Sequence, residues 1–332
     1  MTTNRTALLL AATLLALAAP LALSGCGVVG EQTGNRVGDT AGDHLVAYVA
    51  ERGGNSDIGL YDLDAGGFRG LPNLNSTTAA DLEPVISEDG YLLAFTSQRS
   101  SGLGSAGGTD ICIYGRGSEA LLDVPNLNTA DNESAPRFAY DNIKLAFVRD
   151  SSGWKRVRLY DPRGDSLVSA PGITSVGAWH DDRPAPDLHG DRIAFVSDRS
   201  GASHVYVWNR SGGIAAPAGL VTDGLDAEPS LSSNGRWLAF ASTRTGGAGG
   251  WDVFLYDLTN STFVPLPRLN SAGDERFPAV NAAGTRVMFQ ARATAGDDWD
   301  LWSYTLSDST SRQPTNLSSS TENDTQPYLR WR

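Results

Sequence analysis

The sequence is poor in cysteine and histidine, with two and four of these residues in a chain of 332. One cysteine, Cys26, follows an apolar N-terminal run, and the other is Cys112. If Cys26 is modified, no intrachain disulfide can form, so burial of apolar side chains has to stabilise the fold. Four histidines also leave little from which to build a histidine-based catalytic or metal site.

Recognisable catalytic motifs and basic clusters are absent as well. The sequence contains no G-x-S-x-G nucleophile elbow, no H-E-x-x-H zinc motif and no phosphate-binding P-loop. The formal net charge is −12. Because Lys and Arg must neutralise phosphates when a protein binds nucleic acid, we expect no nucleic-acid partner.

The N-terminus carries the one long apolar run. Residues 7–23 follow Arg5 without a charge, as in a secretory signal peptide, and the run is short for a membrane span. The next residues, Leu-Ser-Gly-Cys26, resemble the lipobox of bacterial lipoproteins, whose cysteine receives a diacylglycerol. We predict a signal peptide over 1–25, and lipidated Cys26 with a Gly-rich flexible tether over 26–42. The alternative is an ordinary cleaved signal with an incidental cysteine.

The predicted anchor determines the expected location. Two acyl chains hold a protein stably at a membrane, so we expect an extracytoplasmic, periplasmic lipoprotein that contacts the membrane through its anchor alone. Gly27 stands where an aspartate is associated with inner-membrane retention, which favours the outer membrane.

From residue 43 onwards one motif recurs at intervals of 45 to 52 residues. Its centre is an apolar strand, seen at Ala47-Tyr48, Ala94-Phe95, Ala146-Phe147, Ala194-Phe195, Ala239-Phe240 and Met288-Phe289. The strand that follows, for example "DVFLYD" at 252–257, alternates aliphatic and aromatic residues with a period of two, which indicates β-structure. Repeats of this length are typical of propeller blades.

The repeat "EPSLSSNGRWLAFASTR" at 228–244, followed by "WDVFLYD", resembles the PD40 repeat of TolB and TolB-like proteins. The resemblance implies an all-β fold over 43–332, a six-bladed β-propeller of four-stranded antiparallel blades. A proline opens each repeat, at Pro84, Pro136, Pro186, Pro229, Pro278 and Pro327. Only a short segment follows the last of these, so we predict that the C-terminal strand pairs with the N-terminal blade and closes the ring.

The residue three positions before each opening proline is charged. The set is Asp81, Glu133, Arg183, Asp226, Glu275 and Asp324. Because the opening strand of a blade lines the channel, we expect these side chains to encircle one channel mouth and focus a negative potential there. The expected guest is a divalent cation such as Ca²⁺ or a basic segment of a partner. The alternative is that acids simply end the loops before these strands.

Further polar residues are expected near the channel. Its lining should include Arg137, Asp187, His189 and Arg330, which either bind a small anion or neutralise one another in a water-filled channel. The segment "WHDDRPAPDLHGD" at 179–191 also contains the metal candidates His180, Asp181 and Asp182. Their spacing matches no characteristic metal motif, so a solvated turn is the alternative.

A Ser-x-Arg element ends several of the Ala-Phe strands, with Arg99 and Arg244 as examples. The following strand begins with an aspartate in the same blades, at Asp110 and Asp252. We predict a structural ion pair between these neighbouring strands.

Two functions from different classes are compatible with these features. The first is a lipid-anchored, non-enzymatic propeller, a monomer without an obligatory cofactor, that presents its channel mouth and loops to another envelope protein. The second is a metal-dependent carbohydrate-active enzyme, a lyase or hydrolase, at the acidic mouth. Turnover that is lost on chelation, and on substitution of His180 or His189, would support the second function.

Overall fold

The computed structural model describes residues 27–28, 45–52, 55–62, 67–99, 108–141, 144–174 and 177–313. These residues form only β-strands and turns, arranged in six four-stranded antiparallel sheets that we call blades 1 to 6 in chain order. Within each blade the strands are hydrogen-bonded in sequence order. In the described part of the chain, no helix is long and apolar enough to cross a membrane.

The strand bounds are as follows. Blade 1 contains β1 (Gly27–Val28), β2 (Leu45–Arg52), β3 (Asn55–Asp62) and β4 (Gly67–Phe68). Blade 2 contains β5 (Asp81–Ile86), β6 (Leu92–Ser97), β7 (Asp110–Gly115) and β8 (Ala120–Leu121). Blade 3 contains β9 (Asn132–Phe138), β10 (Leu145–Ser151), β11 (Trp154–Asp161) and β12 (Ser166–Leu167). Blade 4 contains β13 (Asp181–Pro186), β14 (Arg192–Ser197), β15 (His204–Asn209) and β16 (Gly213–Ala215). Blade 5 contains β17 (Asp226–Leu231), β18 (Trp237–Ser242), β19 (Asp252–Asp257) and β20 (Thr262–Val264). Blade 6 contains β21 (Asp274–Val280), β22 (Arg286–Arg292), β23 (Asp300–Thr305) and β24 (Thr310–Arg312).

Blades 2 to 5 bury both of their faces against their sequence neighbours. In β19, Val253 and Leu255 pack in the apolar core shared with blade 6, whereas Phe254 and Tyr256 face blade 4. This alternation is the period of two that the sequence shows. The predicted aromatic centre of the repeat is confirmed, because Phe95, Phe147, Phe195, Phe240 and Phe289 are all buried. Burial of each such side chain stabilises the fold by about 1.5–3 kcal/mol.

The first strands of blades 2 to 6 lie at the centre of the molecule, since β5, β9, β13, β17 and β21 contact one another in succession. In blade 1 the inner position beside β2 is occupied by β1, through the pairs Gly27↔Ala47 and Val28↔Val46. The sequence predicts that Gly27 and Val28 belong to the flexible tether. They instead pair with β2, because an unpaired strand edge favours pairing with an extended segment. The C-terminal strand predicted to close the ring lies outside the described residues.

A backbone irregularity recurs in every inner strand from β5 to β21. The residue before a proline has a positive φ of 49° to 54°, at Glu83, Ala135, Arg183, Glu228 and Phe277. None of these residues is glycine, so each conformation costs about 1–3 kcal/mol and has to be held by its surroundings. Strand pairing shifts register at these positions, as at a β-bulge.

The bulge identifies the true repeat proline of blade 4. Arg183 has the positive φ, so Pro184 is the equivalent of Pro84, whereas the sequence interpretation had used Pro186. That interpretation shifted blade 4 by two residues. Asp181, rather than Arg183, therefore corresponds to Asp81. The residue two positions after the repeat proline is buried in both blades, as Ile86 in blade 2 and Pro186 in blade 4.

The motifs "LPNLNS", "VPNLNT" and "LPRLNS" each have an asparagine directly before the final serine or threonine. This asparagine binds the third strand of the blade that the motif follows. Asn128 accepts a hydrogen bond from Ile111 N and donates one to Ile111 O, both at 2.9 Å. Asn75 makes the same two bonds to Ile58, and Asn270 makes them to Val253. The amide thus pairs with a strand edge as another backbone would, which satisfies buried polar groups in the loop.

We expect Asn128→Ala to lower the free energy of unfolding by about 2–3 kcal/mol, because the N–H and C=O of Ile111 would lose their buried partner. Chemical denaturation followed by tryptophan fluorescence measures the change. The control is Asn209→Ala, since among the described residues the Asn209 side chain makes no hydrogen bond, and a change within about 0.5 kcal/mol is expected there. Equal losses in both variants would contradict the role of the Asn.

Candidate functional site

The acids predicted to ring the channel mouth are buried inside the blades. Asp81, Glu133, Asp226 and Glu275 are at most 2% exposed, and Asp324 lies outside the described residues. The prediction of an exposed acidic ring is therefore wrong for these four residues. Their carboxylates turn into the blade, where N–H and O–H groups bind them.

Arginine is the main partner of these carboxylates. Arg99 donates to Asp81, Arg149 to Glu133, Arg199 to Asp181 and Arg244 to Asp226, at 2.6 to 2.7 Å. In blade 6 the pair is Arg292 with Asp274, one residue before Glu275. The pairing predicted between Arg244 and Asp252 is wrong, because Asp252 accepts hydrogen bonds from the backbone N–H groups of Ala248 and Gly249 while Arg244 binds Asp226. The arginine lies near the end of the second strand or just beyond it and reaches back to the start of the first.

Arg244 shows what such a pair holds together. Its Nη2 donates to Asp226 Oδ1 at 2.7 Å and to Leu220 O at 2.9 Å, and Nη1 donates to Gly219 O at 2.9 Å. Its guanidinium also lies over the Phe240 ring, 4.8 Å from the centroid. One buried cation thus joins the first strand, the second strand and the loop that enters the blade.

Burial shifts the pKa of several groups. Desolvation raises the pKa of Glu133 despite the opposing effects of Thr129 and Arg149. It also raises the pKa of Glu275, which accepts hydrogen bonds from Ser271. Burial raises the pKa of Cys112 to about 11, so its thiol stays protonated near neutral pH. The pKa values of Glu133 and Glu275 are raised because burial inside a blade removes these carboxyl groups from water. Such a shift does not by itself indicate a reaction centre.

The predicted channel-lining residues do not form one group. Asp187 and His189 lie in the turn after β13, at the opposite end of that strand from Asp181. His189 Nδ1 is 2.8 Å from Asp141 Oδ2, and Asp187 accepts from Asp191 N at 2.9 Å. Arg137 donates to the carbonyl of the preceding residue in β9. Arg330, like the proposed lipidation residue Cys26, lies outside the described residues.

The three metal candidates point to different partners. Asp181 binds Arg199, Asp182 Oδ2 is 2.8 Å from Lys155 Nζ, and the His180 ring packs against Trp154. Successive side chains of a strand point to opposite faces, so Asp181 and Asp182 cannot converge on one ion. Within the described ranges, no three His, Cys, Asp or Glu residues are placed to hold a metal.

A cleft of about 440 Å³ lies between blades 4 and 5, at the end where the inner strands begin, and we call it the mouth cleft. Its polar lining comprises His180, Asp198, Arg183 and the Lys155–Asp182 ion pair, and its apolar lining includes Leu225 and Trp251. The cleft thus combines charged, aromatic and aliphatic groups, as binding sites for small molecules and peptide segments do.

Trp251 is held in position by the neighbouring blade. The Arg276 guanidinium lies over its ring, 4.7 Å from the centroid, and is itself paired with Glu228. The backbone N–H of Trp251 donates to Asp274 Oδ1 at 3.1 Å. The sequence interpretation did not identify Leu225 or Trp251 as site residues. One feature of the sequence does point to this cleft, namely a break in the repeat. Lys155 stands where four of the other blades have an aspartate at the start of the third strand.

Comparison with solved structures identifies the fold. The chain is similar to TolB from Acinetobacter baumannii, at 16% identity and a TM-score of 0.57, over 85% of this chain and 66% of that one. It is also similar to a puromycin-hydrolysing peptidase from Mycobacterium tuberculosis, at 15% identity and a TM-score of 0.61, over 83% of this chain and 44% of that one. A third similar structure is the β-propeller domain of the Trilobed protease from Pyrococcus furiosus, at 13% identity and a TM-score of 0.57, over 90% and 83% of the two chains.

These likenesses show a TolB-like β-propeller fold, as the sequence predicted. No protein-family model matches the sequence. No curated protein matches it either. Since the similar structures include TolB and peptidases, the fold by itself does not distinguish binding from catalysis.

We expect Arg244→Met to lower the free energy of unfolding by about 3–5 kcal/mol, because Asp226 would stay buried without its counter-charge. Lys155→Met is the control, since Lys155 and Asp182 are 40% and 32% exposed and such a pair contributes about 1 kcal/mol or less. Urea denaturation measures both changes. If the double variant Arg244→Met/Asp226→Leu were no more stable than Arg244→Met alone, the uncompensated charge would not be the cause.

Proposed function

We propose that this protein is a lipid-anchored, extracytoplasmic binding or scaffolding propeller of the bacterial cell envelope. Its working surface is the mouth cleft with the loops around it, and its partner is another envelope protein. The observation that carries this proposal is the mouth cleft itself, in which an exposed arginine, a tryptophan and an exposed leucine lie together.

The composition of the mouth cleft supports protein binding. Tryptophan and arginine are the residues that most often dominate the energy of protein interfaces. Arg183 is exposed, and Leu225 is 46% exposed next to the start of β17. The cleft volume suits one or two side chains of a partner segment rather than a flat contact.

The second candidate, a carbohydrate-active enzyme at the acidic mouth, receives less support. It relied on exposed carboxylates and on a cluster of His180, Asp181 and Asp182. Asp81, Glu133 and Asp226 are paired with arginine and Glu275 accepts from Ser271. The three metal candidates point to separate partners. A lyase or hydrolase remains the outcome that would replace the proposal if the purified protein cleaved a cell-surface polysaccharide.

A photo-cross-linking experiment tests the partner surface. The residue Leu225 is replaced by p-benzoylphenylalanine, and in a matched control the same replacement is made at Leu167 in β12, which is also 46% exposed. Irradiation of intact cells should give one discrete cross-linked protein with the Leu225 variant and none with the Leu167 variant. Identical cross-linking patterns, or none from Leu225 in cells that make the protein at normal levels, would overturn the proposal.

The anchor is tested separately. We expect Cys26→Ser to abolish incorporation of labelled fatty acid and to move the protein from the membrane fraction to the soluble fraction, because the thiol that accepts the lipid is gone. The control is Cys112→Ala, which removes the other cysteine and should keep both label and membrane association. Label retained by Cys26→Ser would show that the lipid is absent from that residue.

A further inference from the structure

The positive-φ residue of the inner strand acts as a bridge between blades at two boundaries. In blade 2, Glu83 Oε2 accepts a hydrogen bond from Ala135 N of blade 3 at 2.8 Å. In blade 5, Glu228 Oε2 accepts from Phe277 N of blade 6 at 2.9 Å. Donor and acceptor residues occupy the same repeat position in consecutive blades, so we call this contact the carboxylate latch.

Each latch is supported by further hydrogen bonds. Glu83 Oε2 also accepts from Thr96 Oγ1 at 2.8 Å, and Glu228 pairs with the Arg276 guanidinium. A carboxylate that accepts several hydrogen bonds is fixed in position, and the charge strengthens each bond. The latch therefore closes the end of a blade boundary at the channel mouth.

The latch is missing at the boundary between blades 3 and 4, where its position holds Ala135, and at the boundary between blades 4 and 5. The latch position of blade 4 is Arg183, whose φ of 52° equals that of Glu83, so its backbone presents the side chain in the same way. An arginine can only donate hydrogen bonds. The corresponding donor in blade 5 is Glu228 N, and no side chain in the described part of the chain accepts from it. The mouth cleft lies at this boundary.

Arg183 itself is free to bind. Its side chain is exposed, and within the described ranges its guanidinium makes no hydrogen bond, ion pair or ring contact; only its backbone N–H is bonded, to Asp182 Oδ1. The other cation of the cleft, Lys155, is already paired with Asp182. Among the described residues Arg183 is therefore a cation without an ion-pair partner, beside a backbone position that binds a carboxylate at two other boundaries. The carboxylate of Asp198 in the same lining accepts a hydrogen bond from His180 N at 2.6 Å.

We propose that the mouth cleft binds a carboxylate of an acidic peptide segment from the partner, which takes the place of the missing latch. The carboxylate pairs with the Arg183 guanidinium in a two-pronged contact and lies toward Glu228 N, while an adjacent apolar side chain of the peptide packs on Trp251 and Leu225. A peptide is favoured as the source of the carboxylate because an acidic residue and an adjacent apolar residue lie a few ångströms apart in one chain. The two side chains can therefore reach Arg183 and the apolar lining at the same time. The inference rests on the proposed binding function and names the chemistry of its partner.

The test uses the purified propeller and two blocked, fluorescently labelled pentapeptides, with the sequences Ser-Leu-Glu-Leu-Ser and Ser-Leu-Gln-Leu-Ser. Fluorescence anisotropy should show that the Glu peptide binds wild-type protein about tenfold more tightly than the Gln peptide. Arg183→Gln should abolish the difference. The control Arg163→Glu changes the charge of another exposed arginine, in the turn between β11 and β12, and should leave the difference unchanged.

A second variant tests the mimicry itself. Arg183→Glu restores the residue type of the latch, so its carboxylate should bridge to Glu228 N and close the mouth cleft. We expect this variant to lose binding of the Glu peptide while its thermal unfolding midpoint is equal to or above that of wild type. A lower midpoint together with retained peptide binding would overturn the latch argument.

The remaining outcomes separate the two proposals. Equal affinity for the Glu and Gln peptides, or no binding of either at millimolar concentration, overturns the carboxylate site. The cross-link from Leu225 would then still decide whether the mouth cleft contacts a protein. Binding of tri-galacturonate at Arg183 without binding of the Glu peptide overturns the assignment to a peptide, since an acidic sugar would then supply the carboxylate.

Discussion

The buried pair of an acid at the start of the first strand and an arginine at or just beyond the end of the second strand is the interaction on which the blades depend. Asp226 and Arg244 are almost fully buried, and the same pairing occurs at Asp81, Glu133 and Asp181. Removing two charges from water is costly, so the pair stabilises the fold only because additional hydrogen bonds satisfy both partners. Arg244 shows this, since it also binds two carbonyls of the entering loop.

The Asn–strand contact and the acid–arginine pair form one continuous unit. In the loop between blades 2 and 3 the Asn128 amide binds the third strand of blade 2, and the next residue, Thr129, donates its hydroxyl to Glu133 at 2.7 Å. Arg149 then binds Glu133 and the carbonyl of Leu127. A loop that would otherwise carry unpaired polar groups is thereby fixed between two blades. This dependence explains why the repeat keeps "LN" followed by serine or threonine in three of its copies.

The sequence predicted the strands, their order and the buried aromatic centre, because period-two alternation and a recurring motif reflect burial directly. It did not predict the partner of the arginine, since spacing along a chain does not say whether a long side chain reaches forward or back. Two prolines two residues apart in "DRPAP" shifted the alignment of blade 4, and only the positive φ of Arg183 settles it. The sequence did not predict that Leu225 and Trp251 line one cleft, because their proximity depends on how neighbouring blades pack.

Departures from the repeat carry the information about binding. Where the latch position holds glutamate, the boundary is bridged from within the chain. Where it holds Arg183, the same backbone presents a cation, and the boundary contains a cleft with an aromatic wall. A carboxylate supplied by a partner would meet the chemistry that already joins blades 2 and 3 and blades 5 and 6. Binding of this carboxylate then requires no new backbone geometry. It requires only an arginine at the latch position, whose positive φ is the same in every inner strand from β5 to β21.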